Sequence, residues 1–70
     1  METMKLHYYR ETDSLYIDLV DRPSTESRNV APGVILDFDA DGVLVGIDID
    51  HASQKLDLSR VETVALPLAD

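Results

Sequence analysis

Hydrophobic and polar residues alternate along most of this chain with a period of two, the pattern of half-buried β-strands. The alternation is clearest in residues 32–53, where one set of positions is wholly apolar on both sides of Asp41-Gly42. Because Asp-Gly accommodates the positive φ of a tight turn, this segment predicts a β-hairpin. A two-residue loop, Asp41-Gly42, and a four-residue loop, residues 39–42, both keep apolar positions opposite one another.

A first hairpin precedes this segment. Residues 4–9 and 15–20 alternate in the same way around a polar turn. Pairing Tyr8 with Leu15, and Leu6 with Ile17, places apolar side chains opposite one another across the two strands. Asp13 is predicted to be a turn residue, because its carboxylate can accept hydrogen bonds from the turn backbone.

The middle of the chain predicts a loop, a short strand and a tight turn. Residues 21–27 are polar and contain a proline, which indicates a loop leading into a third strand at residues 26–30. Pro32-Gly33 then suits a turn that opens the second hairpin, since proline presets φ and glycine accepts a positive φ.

Beyond Ile49 the alternation ends, and neither Gly nor Pro occurs before Pro67. Asp50 or Ser53 can cap a helix start, so we expect a short helix here. The apolar positions of residues 56–66 fit a broken helix packed on the sheet about as well as an extended return strand. We favour the helix, followed by a loose tail.

Together these elements predict an α+β fold: a small, mostly antiparallel sheet of four or five strands, built from hairpins, with one short C-terminal helix. The 70 residues are predicted to form a single domain, with a core at about residues 5–56 and a tail at residues 57–70. A domain of this size buries about 60% of its unfolded surface, so its core is marginal and a homodimer is expected. Zero cysteines exclude disulfide cross-links and thiolate chemistry.

The net charge of the chain and the lengths of its apolar segments limit the classes of partner and the location that we expect. The net charge is −8, from 14 acidic and 6 basic residues. Such a field repels nucleic acid and anionic membranes and attracts basic proteins, so we expect no nucleic-acid or membrane partner. The chain has no apolar run of the about 20 residues that span a bilayer, and its first residues lack the basic-then-apolar layout of a signal peptide. A cytoplasmic location is therefore expected.

Four motifs occur in an order that resembles a known family. They are Tyr9 with residues 13–17 (DSLYI), residues 30–34 (VAPGV), residues 37–42 (DFDADG), and residues 45–49 (VGIDI) running into Ala52-Ser53. This order resembles DUF2283, a family of small bacterial and archaeal domains of unknown function, over roughly residues 5–56. The resemblance implies a compact antiparallel sheet with a small helix, and it brings no activity, cofactor or catalytic residue. Some such small domains look like partners of toxin-like proteins, which adds the hypothesis of an antitoxin-like partner of a basic protein.

The acidic turn also fits a calcium-binding pattern, in which alternating carboxylates precede a glycine. The candidate ligands are Asp37, Asp39, Asp41 and Asp48. Aspartate at the last position is shorter than the usual glutamate, and the flanking segments are predicted strands rather than the helices of a calcium loop. We therefore interpret the segment as a hairpin turn and predict no metal or other cofactor, with calcium-like binding as the alternative.

Aromatic and aliphatic side chains share the outward sheet face with the acids. The candidate interaction residues are Tyr9, Tyr16, Ile35 and Leu44. Such a patch, rimmed by aspartates, is typical of a protein-docking surface, because tyrosine offers large contact area at small entropic cost. Cover by the C-terminal helix is the alternative. Gly46 on this face indicates either that a bulky group such as Tyr16 lies across it or that it relieves a crowded strand.

No catalytic residue is predicted. His7 and His51 come from distant segments, and the serines lack a nucleophile motif. We therefore expect a non-enzymatic interaction module that forms a homodimer and binds a basic protein. The alternative is a protein that binds a small ligand or a metal, or a minor enzyme.

Overall fold

The computed structural model describes residues 4–59. Its elements are β1 (Lys5–Tyr9), β2 (Ser14–Asp18), β3 (Glu26–Ala31), β4 (Val34–Phe38), β5 (Leu44–Ile49) and α1 (Ala52–Lys55). The strands form one sheet in the order β1-β2-β5-β4-β3, and every neighbouring pair is antiparallel. The sheet therefore has five strands, not four, and a short helix follows the last of them. None of the helical structure in this part of the chain is long and apolar enough to cross a membrane.

β1 and β2 form a hairpin, β3, β4 and β5 form a meander, and the two units join through β2 and β5. In the hairpin, Tyr8 pairs with Leu15 and Leu6 pairs with Ile17, so the predicted pairing is confirmed. Ile17 also pairs with Ile47 of β5. Apolar residues thus meet across strands that are distant in the sequence, and this match fixes the register at the centre of the sheet.

Alternation along the paired strands gives the sheet two different faces. We name one the apolar face, and its members are Leu6, Tyr8, Leu15, Ile17, Val34, Leu36, Ile47 and Ile49. We name the other the polar face, and its members are Lys5, His7, Tyr9, Tyr16, Asp18, Ser27, Asn29, Ile35, Asp37, Gly46 and Asp48. The carboxylates of the three central strands are therefore gathered on one side of the sheet.

The turn between β4 and β5 differs from both predicted loops. Asp39 N–H donates to Val43 O at 2.9 Å and Gly42 N–H donates to Asp39 O at 3.1 Å, so the loop consists of residues 40–42. The Asp39 carboxylate fixes this loop, because its Oδ1 accepts the N–H groups of Asp41 and Val43, both at 2.9 Å. Gly42 has a φ of 80°, in the left-handed region.

A bulge on β5 compensates for the odd length of this loop. Asp37 pairs with Gly46, whereas Phe38 pairs with Leu44, so Val45 is the extra residue. Val45 is 2% exposed, so the bulge residue is buried. Between Asp37 and the start of β4 at Val34, β4 and β5 pair in the register that the two-residue loop predicted. Apolar residues therefore still lie opposite apolar residues on the apolar face.

Neither Asp50 nor Ser53 caps α1, contrary to the prediction. The N-cap is His51, at φ 53°, and it makes no side-chain capping hydrogen bond. Ser53 is bound instead to the β1–β2 turn, where its N–H and Oγ donate to the two carboxylate oxygens of Asp13 at 3.1 and 2.8 Å. A tertiary contact has therefore taken the place of the local cap.

Lys55 connects α1 to the β3–β4 turn. Its ammonium donates to Pro32 O at 3.0 Å and to Asp50 O at 2.7 Å. The helix therefore links both turns at one end of the sheet. It ends at Lys55 and does not continue through residues 56–59, while the rest of the predicted tail, residues 60–70, lies outside the described residues.

Few apolar side chains of the described residues are buried. Leu15, Val45 and Ala52 are the buried apolar residues of this part of the chain, and Leu15 is 5% exposed. The strands contact mainly their neighbours in the sheet, and α1 makes no contact of similar extent with any strand. Residues 4–59 therefore form a single-layer sheet whose apolar face is not covered by α1.

Gly42→Val should lower the free energy of unfolding by more than about 1 kcal/mol, because a β-branched residue is strained at a positive φ. An added Cβ on Gly42 would have no atom within 4 Å, so the cost comes from the backbone alone. Ala40→Val, in the same exposed loop, is the matched control and should change the free energy by less than about 0.5 kcal/mol. Chemical denaturation measures both variants, and equal midpoints would show that the turn is wrongly assigned.

Candidate functional site

The polar face brings together three of the four candidate interaction residues. Tyr9, Tyr16 and Ile35 lie on it, on β1, β2 and β4. Tyr9 is the most accessible tyrosine, at 51% exposure. Leu44 pairs with Phe38, which follows Leu36 by two residues on the apolar side of the sheet, so the bulge places Leu44 on the opposite side from the other three. The patch is therefore smaller than the sequence predicted.

Tyr16 lies across Gly46 at the centre of the polar face. A Cβ atom on Gly46 would collide with the Tyr16 hydroxyl and would lie 3.2 Å from ring carbon Cε1. The close approach of this ring is therefore the reason for glycine, which confirms the first of the two interpretations of Gly46. Because β5 carries no side chain here, the side chain from β2 can reach β4.

The Tyr16 hydroxyl is hydrogen-bonded to a carboxylate of β4. It donates to Asp37 Oδ2 at 3.0 Å, while Ser27 Oγ donates to Asp37 Oδ1 at 2.6 Å. Burial raises the pKa of Tyr16 to about 12, together with the hydrogen bond to Asp37 and the negative charges of Asp37, Asp18 and Asp48. Tyr16 therefore stays protonated at neutral pH and keeps Asp37 in place.

Negative charge exceeds positive charge on the polar face, where Lys5 lies opposite Asp18, whereas Asp37 and Asp48 have no cation opposite them. The ion pairs formed within residues 4–59 are those of Asp39 and Glu26, and neither residue belongs to this face. Burial raises the pKa of Asp48, and the nearby charges of Asp50 and Asp37 raise it further. A cation that approached this face would therefore meet a negative potential that Lys5 compensates only in part.

The predicted calcium ligands do not converge. Asp39 uses Oδ1 for the turn N–H groups, and its Oδ2 accepts Arg22 Nη1 at 3.1 Å. The Val43 N–H, and then Arg22, lower the pKa of Asp39. Asp37 is instead bound to Tyr16 on the polar face. Throughout residues 4–59, no group of three or more His, Cys, Asp or Glu side chains is placed to hold a metal ion.

Asp13 has a role that the sequence analysis missed. It was predicted as a turn residue, and it has a φ of 53° in the β1–β2 turn. Its carboxylate also accepts the Tyr8 hydroxyl at 2.6 Å and the two groups of Ser53, and these hydrogen bonds lower the pKa of Asp13. Ser53 is 40 positions away in the sequence, so no local pattern indicates the contact.

The two histidines lie in different parts of the domain. His7 is on the polar face in β1, and His51 is the N-cap of α1. His51 lines a cleft of about 560 Å³ between the β3–β4 turn and α1, together with Asp50 and Lys55. The Lys55 ammonium in this cleft is bound to two backbone carbonyls, so its role is to hold the turn.

The fold and the polar face define a small single-sheet antiparallel domain that presents an acidic surface with a tyrosine at its centre. The chain belongs to the DUF2283 family, whose description is a protein of unknown function, and it matches this family over residues 5–53. The resemblance noted in the sequence is thereby confirmed. No curated protein and no solved structure matches the chain.

Gly46→Ala should destabilise the domain by about 1–3 kcal/mol, because the added methyl group displaces Tyr16 from Gly46 and breaks its bond to Asp37. In a Tyr16→Val background the same change should be neutral or stabilising, since alanine is normally better than glycine in an ordered element. Denaturant unfolding of the four proteins gives the coupling energy. An equal cost of Gly46→Ala in both backgrounds would show that Tyr16 does not lie across this glycine.

Asp48→Asn should stabilise the domain at pH 7 and have a smaller effect near pH 3. The raised pKa of Asp48 means that the folded state holds this proton more tightly, so stability is lost as pH rises from the ordinary pKa of 3.8 through the folded value. Asp41→Asn makes the same charge change on the exposed turn and serves as the control. Denaturation midpoints at both pH values test this, and equal shifts for the two variants at pH 7 would contradict it.

Proposed function

We propose that this protein is a non-enzymatic interaction module, and that its polar face docks a basic protein in the cytoplasm. The observation that carries the proposal is the excess negative charge of Asp18, Asp37 and Asp48, which lie on adjacent strands around Tyr16 and face one cation, Lys5, within the described residues. Three carboxylates on one rigid face would bind lysine and arginine side chains by charge-assisted hydrogen bonds. The net charge of −8 adds a long-range attraction for a basic partner.

The aromatic residues of this face supply contact area beside the charges. Tyr9 extends the face at the edge strand, and Ile35 adjoins Asp48 across β4 and β5. The Tyr16 ring is held against Gly46 and by Asp37 before any partner arrives, so little side-chain entropy would be lost on binding. Rigid aromatic contacts next to selective charges are the usual composition of a protein interface.

The spacing of the acids indicates how basic side chains would be spaced on the partner. Asp18 and Asp37 lie on either side of Gly46, two strand spacings or about 10 Å apart, and Asp48 lies two residues along β5 from that row, so basic side chains at similar spacing would engage them. A basic toxin-like protein is one partner of this chemistry, and the present chain would then act as its antitoxin-like counterpart. Association of this kind is fast at low salt and slows as ionic strength increases.

The alternative function, binding of a small ligand or metal or a minor enzymatic activity, gains no support from the described residues. The carboxylates of Asp37 and Asp39 bind different partners, and the two histidines lie apart. The interaction proposal uses the same acids in the positions where the sheet places them.

The test is capture of a partner by two variants of equal net charge. The first carries Asp18→Asn, Asp37→Asn and Asp48→Asn on the polar face. The second carries Asp21→Asn, Asp41→Asn and Asp57→Asn at exposed positions outside it. Basic proteins captured from native lysate by the wild type should be retained by the second variant and reduced at least about tenfold for the first, in a salt-dependent manner.

Thermal unfolding of both triple variants provides the folding control for this experiment. Equal capture by the two variants would overturn the proposal, because the charge alone, and not its position on the polar face, would then decide binding. Capture of acidic proteins would also overturn it.

A further inference from the structure

The apolar face is a surface without charge in a strongly acidic protein. Its eight members carry one polar atom, the Tyr8 hydroxyl, which donates to Asp13 at 2.6 Å and is thereby satisfied. Arg28 and Glu26 of β3 lie on the same side of the sheet, opposite Leu36 and Phe38, and pair with each other at 3.5 Å, so the uncharged area ends at β4. The Arg28 guanidinium also lies 5.1 Å from the centre of the Phe38 ring. Burial of the face would therefore leave no unpaired charge at this border.

This surface remains accessible among the described residues. Leu6 and Tyr8 on the edge strand are 49% and 46% exposed, Leu15 is buried, and the other five members are half-buried. The four-residue helix lies at the end of the sheet, where it binds the two turns. Contiguous apolar area of this kind on a small domain marks an interface.

We propose that the apolar face is the interface between two copies of this chain, packed face to face with both polar faces outward. Charge decides which face can do this. Two copies of a chain with net charge −8 repel each other, and contact through the polar faces would oppose Asp18, Asp37 and Asp48 with their own counterparts. Contact through the apolar faces keeps these acids at the greatest distance from one another.

The area of the face agrees with a two-layer packing. The four strands that carry the face, at a spacing of about 4.8 Å and with five residues at about 3.3 Å each, give a flat footprint of about 320 Å². Side chains that stand above this plane enlarge the accessible area toward the about 800 Å² per subunit of a standard interface. Two twisted sheets stacked about 10 Å apart form a β-sandwich core, which the single chain lacks in its described part.

Pairing of edge strands is a less suitable arrangement for a second copy. β3 is an edge with a bulge between Asn29 and Ala31 and with charged side chains, which are features that block strand addition. β1 is the more regular edge, but pairing of two β1 strands would extend the sheet and leave both apolar faces in water. Stacking of the faces removes this area from water directly.

This inference is independent of the proposed function, because it concerns the opposite side of the sheet. A dimer of this form would carry two outward polar faces and could therefore bind a partner with two basic sites more tightly than a monomer could.

Leu6→Glu and His7→Glu form a matched pair for the test. The two residues are adjacent on the exposed edge strand, and each variant adds one carboxylate, on the apolar face for Leu6 and on the polar face for His7. Sedimentation over a hundredfold concentration range should show a species of twice 7.8 kDa for the wild-type chain. The dimer dissociation constant should increase at least about tenfold in Leu6→Glu and change less than about threefold in His7→Glu.

Isotope-filtered NMR on a mixture of labelled and unlabelled full-length chains keeps the test decisive if a variant unfolds. Intermolecular contacts between methyl groups of Ile17, Leu36 and Ile47 would support the face-to-face dimer. A monomer at every concentration would overturn it, as would contacts of these methyl groups to residues 60–70 of the same chain. Intermolecular contacts confined to β1 backbone protons, or to Tyr9 and Tyr16, would assign the dimer to another surface and overturn it as well.

Discussion

The constraint on which this structure depends is that a single sheet has two faces and α1, four residues long, can cover neither. Hydrophobic stabilisation requires apolar area to leave water, and in residues 4–59 this is complete only at Leu15, at the bulge residue Val45 and at Ala52. The two faces meet the constraint in opposite ways. One carries the acids and remains compatible with water, whereas the eight residues of the other carry a single polar atom and gain hydrophobic stabilisation only where they leave water.

The ends of the sheet are stabilised by hydrogen bonds to carboxylates, because the buried core is too small to hold them by packing. Asp39 fixes the β4–β5 loop and pairs with Arg22, while Asp13 joins the first hairpin to α1. Their lowered pKa values mean that both favour the folded state when ionised, and this contribution is lost as pH falls below the ordinary value of 3.8. Asp48, with a raised pKa, acts in the opposite direction. The turns and the polar face therefore respond to acid with opposite signs.

The sequence predicted the strands and the first register because alternation with a period of two leaves one choice that puts apolar opposite apolar, as at Leu6 and Ile17. The sequence also indicated the family and, as one of two interpretations, the contact of Tyr16 with Gly46. The three-residue loop was not, because a one-residue bulge at Val45 restores the phase and leaves no trace in the pattern. The helix start was not predicted correctly because Ser53 is bound to Asp13, which is close to it in the structure but 40 positions away in the sequence.

The junction of β2 with β5 has a consequence for the order of folding. The pairings of β1 with β2, of β3 with β4 and of β4 with β5 each involve a short loop. The pairing of β2 with β5 joins Leu15 to Ile49 and Asp18 to Gly46, which are separated by most of the meander. Closing this long loop costs entropy before any apolar contact is gained. We therefore expect each unit to form before the two units pair through β2 and β5. On the ribosome, the N-terminal hairpin must wait until residues 44–49 have been synthesised before it acquires its neighbour in the sheet.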